Sequence, residues 1–370
     1  MNIRHLFYTI TALSIVWATR CSQSPSQRVP SNYMGFDKVS YVDKFPQTFS
    51  LQGRVEPEID VIGIQSFAVY DSLVIFSTNN GRALWSFVSL PDYRDLGSFL
   101  TRGEGPFEFV QAPSVSNGAQ FAVKGNNLVA QIYDFQRGRL LEMNMTRSIT
   151  SQELEMAILH DSLPKYSFNF LVINDDTYFC KATNNHHTQQ NRYLLNKNNE
   201  RTVPAIFEKL NQIVLREGED LNLLSTSTKW HAQYDRLVEM PTGLNYINLY
   251  APDGSFAKTI CVGTELDDLD KIQDQRAWNR IYRFANLRVF DDFFGVVQIN
   301  EDEMTYQTKR KKLPAILLFD WNGEPLAELK LDHFITSFDI DFINGVLYTF
   351  DVHSDEFFKY DINDILLKIK

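Results

Sequence analysis

Acidic side chains recur near the ends of the predicted strands, and oxygen ligands of this kind bind Ca²⁺ in proteins. The six candidates are Asp134, Asp235, Asp291, Asp320, Asp339 and Asp361. Convergence of several of them at one site would indicate a Ca²⁺-dependent enzyme of lactonase or lyase type. An aspartate at a strand end also accepts hydrogen bonds from its own turn, and we favour this structural role. The sequence therefore predicts no cofactor, with Ca²⁺ as the alternative.

Histidine and nucleophile motifs add no catalytic site to the prediction. His186 and His187 lie in a polar tract between two predicted strands, and no third ligand stands at metal-binding spacing from them. We interpret this tract as a solvated hairpin tip. The sequence contains no Gly-x-Ser-x-Gly elbow, phosphate-binding loop or His-Glu-x-x-His motif. Neither a catalytic residue nor a metal ligand is therefore predicted from these patterns.

The run from Arg102 to Phe109 predicts a tight turn that leads into a strand. Its two glycines, Gly103 and Gly105, can take positive φ without strain. Pro106 fixes its own φ and cannot donate to a strand ladder. The candidate binding or turn residues of this segment are Arg102, Gly103, Glu104, Gly105, Pro106 and Glu108. Glu108 is expected to accept hydrogen bonds from neighbouring backbone N–H groups.

The composition favours a β-rich globular protein that does not bind nucleic acid. The chain has 370 residues, 44% of them hydrophobic, and a net charge of −10, which excludes a general nucleic-acid binder. Its 28 Phe and 16 Tyr suit the pleated, half-buried surfaces of strands. Four tryptophans could stack against sugars or peptides, although core packing is the default role of aromatic side chains. They are Trp85, Trp230, Trp278 and Trp321.

A unit of short strands and tight turns returns six times from about residue 61 to residue 370. Turns such as Asn79-Asn80-Gly81 and Trp321-Asn322-Gly323 join alternating apolar runs, as in β-hairpins. Six returns predict an all-β propeller domain over residues 61–370, with four-stranded blades and short helical insertions. A propeller of seven blades is the alternative if one of the insertions is made of strands.

Three segments carry the signals of helix starts. Thr150 and Glu153 form a capping box, and Thr202 begins a helical pattern that continues to Gly218. Thr264 precedes an acidic first turn and an apolar pattern that reaches Ile281. We therefore expect a helical insertion at each of these places.

The sequence pattern of residues 1–20 predicts that this segment is a signal peptide. Arg4 and His5 precede the apolar run from Leu6 to Ala18, which is too short to span a bilayer. The position of Cys21 after this apolar run resembles that of the acylated cysteine in bacterial lipoproteins. We therefore predict lipidation at Cys21. Because Arg20 stands where a small residue is usual, cleavage after Ala18 with soluble secretion is the alternative. Residues 21–60 are predicted to form a tether and an N-terminal arm.

The two remaining cysteines, Cys180 and Cys261, lie within predicted strands. An exported protein could join them in a disulfide. Two buried free thiols are the interpretation that we favour.

The segment from Thr101 to Asn144 resembles the TolB-like six-bladed propellers exported by Bacteroidetes, which are relatives of the NHL-repeat propellers. Its Gly103, Gly105, Pro106, Glu108 and Phe109 match the Gly-x-Gly-Pro-x-Glu-Phe turn of that family. The pairs Ala112-Pro113, Leu128-Val129, Tyr133-Asp134 and Arg139-Leu140 then follow in NHL-repeat order. The resemblance implies a propeller outside the cytoplasm, in the periplasm or at the outer membrane. It implies no defined activity, because propellers carry many functions.

These patterns together predict a non-enzymatic binding protein. Its expected partner is a protein, a peptide or a glycan held at a face of the propeller, and its expected contact with a membrane is through a lipid anchor only. The Ca²⁺-dependent lactonase or lyase is the alternative from a different functional class. Three or more carboxylates converging within about 5 Å at the axial mouth would favour that alternative.

Overall fold

Alternating apolar residues and short polar turns build antiparallel hairpins throughout the chain. The structure is a computed structural model, and it describes residues 33–369 with gaps at 56–58, 60, 80, 82, 91 and 185–188. Several predictions lie outside the described residues. They are the signal peptide at 1–20, lipidation at Cys21, the tether as far as residue 32, and the tract with His186 and His187.

Within the described residues the strands form six sheets, each built on a meander of consecutive strands, which are the six blades of a propeller. The first blade consists of β4 (Ile64–Tyr70), β5 (Leu73–Thr78), β6 (Ala83–Ser89), β7 (Asp95–Arg102) and β8 (Glu108–Phe109). The second consists of β9 (Ala119–Lys124), β10 (Asn127–Asp134), β11 (Arg139–Asn144) and β12 (Met156–His160). The third consists of β13 (Asn169–Asn174), β14 (Thr177–Asn184), β15 (Gln189–Asn196) and β16 (Arg201–Thr202).

Each of the remaining three blades also contains one strand from the N-terminal segment. The fourth consists of β17 (Thr226–His231), β18 (Arg236–Pro241), β19 (Tyr246–Tyr250) and β20 (Ala257–Val262). The fifth consists of β21 (Ile281–Val289), β22 (Phe293–Asp302), β23 (Ala315–Asp320) and β24 (Pro325–Lys330). The sixth consists of β25 (Ser337–Asp341), β26 (Val346–Asp351) and β27 (Glu356–Asp361). The prediction of a six-bladed all-β propeller is confirmed.

The segment before the first blade supplies edge strands to the last three blades. β1 (Val39–Val42) pairs in parallel with β20, and β2 (Thr48–Ser50) pairs in parallel with β24. β3 (Arg54–Val55) pairs antiparallel with β27 and is the fourth strand of the sixth blade. The ring is therefore closed by an N-terminal strand in a sheet that is otherwise C-terminal.

The helices of the described residues are short, and two of the three predicted insertions are shorter than the sequence pattern suggested. They are α1 (Met145–Ser151), α2 (Ala205–Asn211), α3 (Leu269–Gln273), α4 (Glu303–Thr308) and α5 (Asn363–Lys368). The capping box prediction at Thr150 was wrong, because that residue lies near the end of α1, whose cap is Asn144. The segment after it forms β12, because the second blade needs a fourth strand to cover β11. The pattern that reaches Ile281 likewise ends early, and Ile281 begins β21.

Aromatic side chains fill the spaces between neighbouring blades. Phe67 of the first blade meets Phe357 of the sixth edge to face, with ring centroids 5.0 Å apart. Tyr133 of the second blade stacks on Phe170 of the third at 4.4 Å. Each of these rings is at least nine-tenths buried, so the contacts between blades are part of the hydrophobic core. Trp85 and Trp321 are also core residues, as the default interpretation expected.

The two cysteines lie in different blades, and both are buried free thiols. Burial raises the pKa of the Cys180 thiol to about 12 and that of the Cys261 thiol to about 11, so both stay protonated at neutral pH. The interpretation as two buried thiols is confirmed.

A buried ionic network joins the third and fourth blades. Arg192 of β15 donates to both carboxylate oxygens of Glu239 in β18, and Lys181 of β14 lies 3.8 Å from the same carboxylate. Burial alone would raise the pKa of Glu239, but the charges of Arg192 and Lys181 outweigh that effect and lower it to about 2. Tyr250 also donates to Glu239 at 2.9 Å. Each charged group of the network has a partner, as buried charges require.

Candidate functional site

The six inner strands β4, β9, β13, β17, β21 and β25 surround one cavity of about 540 Å³ on the axis of the propeller. We call it the channel cavity. It opens where these strands end, and its mouth is formed by the turns that carry Asp71, Asp291, Asp292, Phe342 and Ile343. Every blade contributes at least one lining residue, so the cavity exists only after the ring has closed.

The floor of the channel cavity holds two cations and one carboxylate. Lys229 of β17 donates from Nζ to the carbonyl oxygen of Ser116, which lies in the link between the first and second blades. Arg288 of β21 donates from Nη2 to Oδ2 of Asp339 in β25. The link containing Ser116 and the three strands meet here, and the contact from Lys229 to Ser116 joins the fourth blade to the link between the first and second blades.

Backbone donors hold the carboxylate of Asp339 in place. Oδ2 accepts from the N–H of Val69 at 2.7 Å, and Oδ1 accepts from the N–H of Ile340 at 3.0 Å. With the bond from Arg288, this carboxylate has donors on three sides, as a buried carboxylate requires. Burial raises the pKa of Asp339, while the neighbouring guanidinium and the two N–H groups oppose that rise.

Lys229 is the least compensated charge on the floor. Burial and the nearby charge of Arg288, opposed by the weaker effect of Asp339, lower the pKa of Lys229 to about 7. Asp339 is itself bonded to Arg288. An ammonium group has three N–H donors, and the one hydrogen bond found for Lys229 among the described residues goes to Ser116.

Two further donors of the cavity lining have no partner among the described residues. They are Nε of Arg288 and Nε1 of Trp230, and both atoms are buried. A buried donor without an acceptor costs about 1–3 kcal/mol, and groups of this kind call for an explanation. Arg288 and Trp230 both line the channel cavity, but these two nitrogen atoms are themselves covered by neighbouring atoms.

Aromatic side chains form the walls above this floor. Tyr70 and Phe121 lie on neighbouring blades with ring centroids 5.5 Å apart, and Phe290 and Phe342 approach to 5.2 Å. Trp230 lines the cavity as well, so one of the four tryptophans proposed for stacking lies where a ligand could reach it. Phe342 is 46% exposed and Ile343 is 67% exposed, so the mouth presents apolar surface to solvent.

An aromatic shelf lies beside the mouth. His231 contacts Trp321 at 4.5 Å between centroids, and Tyr234 stacks on the same indole at 5.7 Å. Burial lowers the pKa of His231, and the carboxylates of Asp291 and Asp292 partly oppose that shift. His231 is therefore neutral at neutral pH. The rim of the cavity combines aromatic rings with exposed carboxylates.

The turn from Arg102 to Phe109, which we call the seam turn, lies at the opposite end of the propeller. It follows the last long strand of the first blade and leads to the start of β9, whereas the mouth lies where the inner strands end. Arg102 donates to the carbonyl oxygen of Val110 at 3.0 Å, so its guanidinium supports the turn. The seam turn and the channel cavity are two separate places in the molecule.

Arg137 holds the seam turn from the second blade. Its guanidinium donates to the carbonyl oxygens of Gly105 and Glu108, both at 2.8 Å, and to that of Gly103 at 3.2 Å. Arg139 donates to the carbonyl oxygen of Pro106 at 2.7 Å. The turn is thus joined to the neighbouring blade through its backbone. We missed Arg137, although a basic residue in the facing hairpin turn was a signal available in the sequence.

Gly103 and Gly105 can take positive φ, but neither residue has positive φ in the seam turn. Their glycine identity has another cause. A Cβ on Gly103 would lie 2.1 Å from Oε2 of Glu108, and this carboxylate accepts from the N–H of Gly105 at 2.7 Å. The segment needs glycine for space around the Glu108 carboxylate. The expected role of Glu108 as an acceptor for turn N–H groups agrees with this contact.

The six aspartates named as possible Ca²⁺ ligands are separated by the fold. Asp134 pairs with Arg139 at 2.8 Å, and the others outside the channel cavity lie at or near turns. Asp291 and Asp339 alone of the six line the cavity, and Asp339 is bonded to Arg288. Across the described ranges, no group of three or more His, Cys, Asp or Glu side chains has metal-binding geometry.

Sequence reasoning missed Lys229 and Arg288 as site residues and gave Asp339 a different role. Each is a single charge within an inner strand, and both Arg288 and Asp339 have apolar neighbours on either side in the chain. A charge embedded in a buried strand costs free energy unless it is paired. That pattern was the available signal for these residues.

Comparisons with solved structures show proteins of similar fold. A member of the DUF4221 family from Bacteroides vulgatus has 9% sequence identity and a TM-score of 0.50, over 83% of this chain and 94% of that protein. A Bacteroides fragilis protein described as exported has 10% identity and a TM-score of 0.48, over 87% and 98%. Streptogramin B lyase has 10% identity and a TM-score of 0.44, over 85% and 97%.

Of these three, the DUF4221 protein has the highest TM-score, and at 9% identity its similarity shows a shared fold. No protein-family profile matches the chain, and no curated protein matches it. None of the helices in the described part of the chain is both long and apolar enough to cross a membrane.

Proposed function

We propose that this protein is a non-enzymatic binding protein that holds part of a peptide or glycan in the mouth of the channel cavity. The observation that carries the proposal is the cavity itself, which has aromatic walls, an exposed apolar mouth and unpaired donors below them. Pockets of several hundred Å³ with apolar walls and a few polar groups are typical ligand sites. Aromatic rings offer flat surfaces for sugar rings or peptide side chains.

The alternative of a Ca²⁺-dependent enzyme has less support from the geometry. It required at least three carboxylates converging at the axial mouth. Within the described residues, Asp339 is engaged by a guanidinium and two backbone N–H groups, and Asp291 and Asp292 lie exposed on one turn. This arrangement suits recognition of polar groups at the rim better than the oxygen cage of a Ca²⁺ ion.

We also propose that the protein acts outside the cytoplasm and is held to a membrane by a lipid on Cys21, as a TolB-like or NHL-related propeller. The support is the basic flank, the apolar run from Leu6 to Ala18 and the cysteine that follows, together with the seam turn motif. A Cys21→Ala variant should partition with the aqueous phase of a detergent extraction, while wild type partitions with the detergent. Equal partitioning of the two would overturn the lipid anchor.

A ligand screen on matched variants tests the binding proposal. Ile343 lies in the turn between β25 and β26 at the mouth, and Val352 lies in the turn between β26 and β27 at the other end of the same blade. Both are exposed, at 67% and 44%. We would screen peptides and oligosaccharides by thermal shift on wild type, Ile343→Arg and Val352→Arg, because a ligand of the native state raises Tm.

We expect compounds that raise the Tm of wild type and of Val352→Arg alike and that bind Ile343→Arg at least tenfold more weakly. A compound that stabilises both variants equally binds elsewhere and would contradict the proposal. A loss of binding in Val352→Arg alone would move the site to the opposite face.

A further inference from the structure

The floor of the channel cavity has one more positive charge than it can neutralise. Below pH 7 Lys229 and Arg288 carry two positive charges, and the one carboxylate on the floor, that of Asp339, is bonded to Arg288. Each of the three comes from a different blade, and the ring brings them together. Because the surroundings are buried, the attraction between the excess charge and an anion is stronger here than in water.

Unused hydrogen-bond donors point to the same kind of ligand group. Nε of Arg288 and Nε1 of Trp230 are buried and unpartnered within the described residues, and Lys229 uses one of its three N–H groups. Those two nitrogen atoms are covered by neighbouring atoms, whereas Lys229 lines the channel cavity with two unused N–H groups. A group bound beside Lys229 must therefore accept hydrogen bonds, which is the property of an anionic oxygen group.

The rim limits how much negative charge such a ligand can carry. Asp71, Asp291 and Asp292 line the outer part of the cavity and are exposed. These carboxylates repel a group of charge −2 more strongly than one of charge −1 as it enters. The aromatic walls formed by Tyr70, Phe121 and other rings favour an apolar or ring-shaped body attached to the anion.

We propose that the channel cavity binds a carboxylate-bearing ligand, with its carboxylate on the floor against Lys229 and Arg288 and its body between the aromatic walls. The inference rests on the proposed binding function and specifies the ligand chemistry. A carboxylate has charge −1 and two oxygens that each accept more than one hydrogen bond, which suits the excess charge and the unused donors.

This chemistry has two sources among the partners expected for the protein. A glycan supplies it as a uronic acid, and a peptide supplies it as a C-terminal carboxylate. Two matched pairs of probes separate the sources and isolate the carboxylate. They are methyl β-D-glucuronide with methyl β-D-glucoside, and N-acetyl-L-phenylalanine with its amide.

The test is isothermal titration of the full chain with each probe at pH 6, in a buffer without carboxylate or phosphate, with inorganic phosphate as a fifth titrant. We expect the acid of at least one pair to bind at least tenfold more tightly than its neutral partner. The pair that shows this preference identifies the source. Lys229→Met should reduce the preference at least fivefold while the affinity for the neutral probe stays unchanged.

Three outcomes would overturn the carboxylate inference. They are equal affinity for acid and neutral probes, no binding by either acid, and tighter binding of phosphate than of either acid. Equal affinity that is lost in Ile343→Arg would leave the proposed binding function in place. An acid preference that survives Lys229→Met would also overturn the assignment of the floor. A second variant, Lys229→Arg, retains the charge and should keep the preference for the acid.

Discussion

The backbone N–H of Val69 donates to the Asp339 carboxylate at 2.7 Å, and this bond joins the first inner strand of the propeller to the last. The same carboxylate carries the bond from Arg288 in the fifth blade. One side chain therefore connects three blades at the axis, while β3 closes the ring at the periphery. Closure of the ring and assembly of the channel cavity depend on the same residue.

Removing the charge of Asp339 should destabilise the protein strongly. In Asp339→Asn the bond from Val69 can remain, but the Arg288 charge loses its partner in a buried place beside Lys229. We expect a loss of about 3–5 kcal/mol in the free energy of unfolding, as for other broken buried pairs. Urea denaturation measures it.

Asp320→Asn is the control, because Asp320 accepts from the N–H groups of Asn322 and Glu324 in an exposed turn and an amide oxygen can replace it. The double variant Asp339→Asn with Arg288→Met should lose less than the sum of the single changes. Fully additive losses would show that the two side chains do not interact.

The start of the N-terminal arm should matter for stability. Met34 is fully buried; its N–H donates to the hydroxyl of Tyr246 at 2.7 Å, and its carbonyl oxygen accepts from Asn248 at 2.9 Å. Met34→Ala should cost about 2–5 kcal/mol through the cavity that it leaves. Tyr41→Ala, at an exposed position of the same arm, should cost much less. Similar melting curves for Met34→Ala and wild type would argue against docking of the arm.

Gly103→Ala should weaken the seam turn by displacing a carboxylate rather than by straining φ. The new Cβ pushes the Glu108 carboxylate away, and the N–H of Gly105 loses its acceptor, at a cost of about 1–2 kcal/mol. Adding Gly103→Ala to Glu108→Ala should then cost almost nothing more. Gly243→Ala is the control, since its nearest neighbour is 3.8 Å from the added Cβ. An equal cost of Gly103→Ala in both backgrounds would contradict this explanation.

Lys229 should make stability depend on pH in the alkaline range. Burial lowers the pKa of Lys229 from its ordinary value of 10.5 to about 7, so the unfolded chain binds more protons between these values. Stability therefore rises with pH through this window and falls as the pH returns toward 7. Below pH 7 both states carry the proton and the contribution is constant.

Lys229→Met should remove its share of this rise, about 2 kcal/mol between pH 7 and pH 9. The charged groups that face Lys229 are Arg288 and Asp339, with Asp71, Asp291 and Asp292 further out in the cavity, and none of them is altered. Lys309→Met, an exposed position, is the control. Denaturant unfolding at the two pH values is the measurement, and an identical rise in Lys229→Met and wild type would contradict a buried lysine.

The propeller could be predicted from the sequence because hairpins are local. Turns such as Trp321-Asn322-Gly323 mark the strand ends directly, and Gly323 has φ of +75°, as a turn of this kind requires. The helix prediction at Thr150 failed because pairing of β12 with β11 outweighed a local capping signal. Local patterns of this kind yield the blades but cannot say which segment completes a sheet.

The channel cavity could not be predicted in the same way. Lys229, Arg288 and Asp339 lie in three different blades and meet only when six inner strands close a ring. The seam turn drew attention because its motif is contiguous, and its residues instead join two blades through Arg137. Contiguous motifs report local geometry, whereas this cavity is made by residues that are distant in the chain.

The most direct test of the account is a crystal structure of the protein with a ligand identified in the screen. We expect the ligand to lie in the mouth of the channel cavity, between Trp230 and Phe290 and above Lys229. Ligand density at the opposite end, against Arg102 or Glu104 of the seam turn and with the cavity unfilled, would contradict it.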